Sequence, residues 1–72
     1  MSETLDIKKG TTYWGYIGKR ETRRKVNMIE TRSSGNRYVN WTTIKKDGSE
    51  GQTGWARLDK FREWVKGVYE YG

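Results

Sequence analysis

Lys19, Arg20, Arg23, Arg24 and Lys25 stand within the eight residues "GKRETRRK" (18–25), with Glu21 as their one carboxylate. Each arginine carries a planar fork of donors that fits two phosphate oxygens at once, and the lysines add point charges. Every phosphate so neutralised releases condensed counterions, so affinity for a polyanion and sensitivity to salt rise together. A cluster of this kind, taken in isolation, serves equally well as a solvated loop. The distribution of charge along the chain separates the two readings. Residues 1–7 carry −2, residues 8–46 carry +9 and residues 47–72 carry −1, out of a total of +6. The whole excess sits in the front two-thirds, which favours nucleic acid as the partner, duplex DNA ahead of RNA, held mainly by its backbone.

Further cations extend that surface. Arg32 and Arg37 flank the turn residues "SSGN", and Lys45 and Lys46 precede the Asp-Gly of "DGSEG". Trp14 and Tyr16 alternate onto one face beside the basic segment, so one of them is a candidate platform for a stacked base. Tyr38, Asn40 and Thr42 share a strand face and offer a ring, an amide and a hydroxyl, or else simply the polar side of a half-solvated sheet. Trp41, alternating with Val39, is assigned to the core.

The composition leaves little room for catalysis. The 72 residues include no Cys and no His, which removes thiolate chemistry, zinc-thiolate sites and the commonest general base. None of the nine carboxylates lies in an apolar stretch that would raise its pKa, and the glycines form no phosphate-binding loop. The chain is read as a binding protein without a cofactor. The start "MSETLDIKK" lacks the apolar run of a signal peptide and no stretch is long enough to span a membrane, so the expected compartment is the cytoplasm.

The elements that must position these residues are short and mostly β. One domain over 1–72 is expected, with 1–7 as an N-terminal arm. Alternation predicts strands in "LDIKKG", in "TTYWGYIG" (Tyr13 and Ile17 on one face), in "KVNMIET" (Val26 and Met28 on one face) and in "RYVNWTTI" (Val39 and Trp41 on one face). Gly18–Lys25 is then a basic loop between two of them. After "QTGWA", the spacing of Leu58, Phe61, Val65 and Val68 predicts a helix from Leu58 to Lys66, ending near Gly67 and followed by a strand "VYEY".

The segment "IKKGTTYWGYIGKRETRRKVNMIE" (7–30) resembles the opening of small SH3-like barrels, including the KOW type. Lys9-Gly10 matches the turn of such segments, Gly18–Lys25 the basic loop, and Val26, Met28 and Ile29 the returning strand. Arg24-Lys25 stand where KOW segments usually place a glycine. "GWARLDKFREW" resembles the strand and single helical turn that close such barrels, and it is similar to an element of short bacteriophage proteins. The resemblance implies a mainly β, SH3-like antiparallel barrel with one short C-terminal helix and a nucleic-acid-binding accessory role. It equally implies a second role, as a protein-binding module that modulates a host protein. The alternative architecture is a three-stranded antiparallel sheet packed on a C-terminal helix, as in AP2-like domains.

Overall fold

A computed structural model describes residues 7–69. Five strands and one helix follow in order: β1 (Thr12–Ile17), β2 (Arg20–Thr31), β3 (Arg37–Ile44), β4 (Glu50–Arg57), α1 (Leu58–Trp64) and β5 (Val65–Val68). The strands form one antiparallel sheet in the order β4-β3-β2-β1-β5, with β4 and β5 as its two edges. The protein is therefore mainly β, with an unclosed sheet and one short helix. Five strands exceed the three of the alternative architecture.

Local chemistry explains the turns. Ile17 pairs directly with Arg20, leaving Gly18 and Lys19 as a two-residue loop, and Gly18 has φ +63°. Glycine at the first central position is what a type II′ turn requires. The next two hairpins share one construction. Arg32 N–H donates to Asn36 and Gly35 N–H back to Arg32; Lys45 N–H donates to Ser49 and Gly48 N–H back to Lys45.

The core lies on one face of the sheet. Tyr13, Val26, Val39 and Phe61 are its fully buried side chains, joined by Ile7. Ile29, Trp41, Ala56, Leu58, Trp64 and Val65 are half-buried against them. Each large apolar side chain removed from water contributes about 1.5–3 kcal/mol, so this small set carries most of the stability. Phe61 meets Tyr13 edge to face at 6.0 Å, which docks α1 over the sheet. Val65 N–H caps α1 by donating to Phe61 C=O, and Asp59 in its first turn opposes the helix dipole.

Four sequence expectations are corrected. Residues 20–25 are not loop but the first half of β2, so the hairpin turn is only two residues long. Met28 does not share a face with Val26: a bulge sets Val26 opposite Trp41 and Met28 opposite Asn40. The extra residue reverses the alternation, leaving Val26 buried and Met28 outside. Residues 7–10 of the "LDIKKG" stretch form no strand and end in a turn, while Leu5 lies outside the described residues. The helix stops at Trp64, and the apolar spacing continues into β5, where Gly67 sits in mid-strand.

Three tryptophans cross three glycines, two from neighbouring strands and Trp64 from the end of α1. A Cβ on Gly54 would meet the Trp41 ring at 2.6 Å, and one on Gly67 would meet Trp14 Nε1 at 2.9 Å. A Cβ on Gly15 would strike the carbonyl oxygen and ring of Trp64. The missing side chains are what let these rings lie against the backbone.

Candidate nucleic-acid interface

Strand direction divides the cations. β2 starts at Arg20 and ends at Thr31, and β3 runs back from Arg37 to Ile44. The β1–β2 and β3–β4 turns therefore lie side by side at one end of the sheet, and the β2–β3 turn lies at the other. The first end holds an open groove of about 1160 Å³ between the two turns. Its walls carry Lys19, Arg20, Arg23, Lys45 and Lys46, against the single carboxylate Glu21. Two hairpins that are distant in sequence thus bring five of the expected site residues together.

Four of these cations are uncommitted. Lys19, Arg20, Lys45 and Lys46 are exposed and make no ion pair among the described residues. Lys45 rests its stem over Gly51, where a Cβ would lie 3.2 Å from its Cε. Arg23 is more constrained. Its guanidinium lies 4.3 Å from the Tyr69 ring centroid, and its Nε is 3.8 Å from Glu21. Asp47, next to the groove, is already engaged: its carboxylate accepts from Ser49 Oγ at 2.6 Å and Ser49 N–H at 2.9 Å. Those bonds, the side-chain one first, lower its pKa, and the charge of Lys45 lowers it in the same direction.

Arg24, expected among the phosphate contacts, lies away from the groove and packs against rings. Register places it on the core face opposite Tyr13 and Thr43. Its guanidinium stacks 3.9 Å from the Trp41 ring and 4.9 Å from that of Trp64. Its Nε has no hydrogen-bond partner among the described residues, so the rings hold it. Burial lowers its pKa, yet a guanidinium remains charged in any protein.

The remaining expected residues do not join the groove. Lys25 lies on the outer face between Thr12 and Thr42, half-buried. Arg32 and Arg37 sit at the far end, where Arg37 shares a small cleft with Arg57, Asp59 and Arg62. The cations therefore gather mainly at the two ends of a twelve-residue strand, with Lys25 between them on the outer face. Of the aromatic pair, Tyr16 is 47% exposed while Trp14 is half-buried over Gly67. The two rings meet edge to face at 5.8 Å.

Asn40 and Thr42 are committed to the sheet itself. Asn27 Nδ2 donates to Asn40 Oδ1 at 2.9 Å and to Thr42 Oγ1 at 2.7 Å, while Thr42 also bonds the Thr53 hydroxyl. Asn40 Nδ2 donates to the Gly54 carbonyl. Asn27 reaches this ladder because of the bulge, which no alternation pattern signals. Among the described residues no helix is long and apolar enough to cross a membrane. Comparison with family models, curated proteins and solved structures gives no match.

Proposed function

We propose that the chain is a nucleic-acid-binding accessory protein that grips duplex DNA by its phosphates, in the groove between the β1–β2 and β3–β4 turns. The observation that carries this reading is the meeting of Lys19, Arg20, Lys45 and Lys46, all without ion pairs among the described residues, around Arg23. Exposed cations without a carboxylate partner exchange their counterions for phosphates, whereas a cation already paired with a carboxylate gains less by doing so. Binding of this kind is weakly sequence-selective, because phosphate contacts carry no base information. The strand order, with a short helix between β4 and β5, supports an SH3-like reading of the fold. Catalysis and a cofactor play no part in this proposal, and a cytoplasmic site of action accompanies it.

A salt titration tests it. Engagement of four to five phosphates predicts that log affinity for duplex DNA falls with log salt at a slope of about −4. Replacing Lys45 and Lys46 together by alanine should flatten that slope by about 2. A slope near zero, or one the double variant leaves unchanged, would sink the proposal.

A second reading makes the chain a protein-binding module acting on a host protein. The exposure of Met28 and Trp55, both opposite Asn40, favours it, since Trp, Met and Arg are enriched at interface centres.

A further inference from the structure

The outer face of the sheet holds a second cluster that the groove does not use. Trp55 of β4 and Met28 of β2 both pair with Asn40, and they are 45% and 46% exposed. Tyr38 follows on the same face, between Glu30 and Arg57. Arg32 covers the cluster, its guanidinium 4.0 Å from the Tyr38 ring centroid and 5.4 Å from that of Trp55. At such distances the ring quadrupoles hold a cation. Its pairing with Glu30, 4.0 Å apart between two exposed side chains, competes weakly. Two rings and one guanidinium plane are thus held together at the surface.

We infer that this cluster is a stacking site for unpaired bases of a nucleic-acid strand. Bases stack on aromatic rings and on arginine planes alike, whatever their sequence. Arg32 stacked in this way still presents donors along its edge, which suit a phosphate or a base edge. Continuity with the groove supplies the rest of the argument. Arg23 and Lys25 lead from the groove onto the same outer face. Neither Lys25–Met28 in β2 nor Asn40–Thr42 in β3 carries a carboxylate to repel a backbone between the two sites. Trp, Met and Arg would equally suit a protein partner, and it is the run of cations from the groove to this face that favours a nucleic-acid strand. The inference rests on the phosphate-binding reading of the groove and adds a class of ligand to it.

Fluorescence anisotropy with a labelled oligo-dT of about a dozen nucleotides, beside a duplex of equal length, tests the inference at low salt. Trp55→Ala should weaken oligo-dT binding about tenfold and leave the duplex within about twofold. Trp55→Phe, which keeps a ring, should retain most of the oligo-dT affinity. Equal losses on both probes, or no loss on oligo-dT, would overturn the stacking site. If Lys45→Ala with Lys46→Ala weakens both probes while Trp55→Ala changes neither, the groove stands and the stacking site is rejected. If the unsubstituted protein binds neither probe, the groove reading fails and this inference with it. A concentration-dependent dimer in sedimentation that Trp55→Ala abolishes would assign the cluster to a second copy of the chain, again rejecting the site.

Discussion

Arg20 and Arg24 lie four positions apart on β2, and register puts both on the same side of the sheet, opposite Ile17 and Tyr13. Their surroundings give them different work. Arg20 is exposed at the groove, whereas Arg24 is clasped by Trp41 and Trp64. Arg24→Ala therefore removes a partly desolvated cation–π stack and leaves a gap between two rings, a cost of about 1–3 kcal/mol. Calorimetry should register it as a melting temperature lower by roughly 4–8 °C per kcal/mol, with the salt slope of DNA binding unchanged. Arg20→Ala should do the reverse, holding stability within about 0.5 kcal/mol and flattening the slope by about 1. If Arg24→Ala flattened the slope as much as Arg20→Ala, the division of roles would be wrong.

At the scale of elements, the β3–β4 turn couples charge to backbone shape. Ser49 hydroxyl and N–H both donate to Asp47, and these bonds lower the carboxylate's pKa. A pKa depressed on folding contributes stability that is present above the unfolded carboxylate pKa and is lost as pH falls through the folded value. A carboxyl titration followed by NMR should place Asp47 below an unfolded aspartate, and Ser49→Ala should move it back up. Asp47 unchanged by Ser49→Ala would remove the assigned cause. Strand β1 offers a second test. A methyl group on Gly15 would strike the Trp64 carbonyl, which is main chain and cannot rotate away. Gly15→Ala should cost roughly 3 kcal/mol in denaturant unfolding, and a neutral outcome would mean that the α1–β5 junction yields freely.

Over the whole molecule, the sheet order creates two poles. The groove at the Lys19 end collects uncommitted cations. At the Arg37 end charges are offset by neighbours, with Arg57 3.5 Å from Asp59 and Arg32 4.0 Å from Glu30. Duplex binding should follow this asymmetry. Replacing Arg32 and Arg37 together by alanine should change the duplex salt slope by less than half as much as the Lys45/Lys46 pair does. Titration of both double variants against one duplex compares them directly, and equal effects would favour a diffuse positive surface over a groove.

Much of this was legible from residue order. The Asp-Gly and Ser-Gly turns, the alternation in "RYVNWTTI" and the onset of a helix at Leu58 are local properties, and local propensity reports them faithfully. The concentration of cations in the front two-thirds is likewise a matter of counting. The bulge at Asn27 was illegible, because one added residue exchanges the two faces without any change in composition. So was the fate of Arg24, since an arginine's exposure depends on which rings cross it, and Trp41 and Trp64 arrive from distant segments. Lys19 and Lys45 meet only because β1–β2 and β3–β4 turn back at the same end of one sheet. Strand pairing across long separations sets that neighbourhood, and no short stretch of sequence contains it.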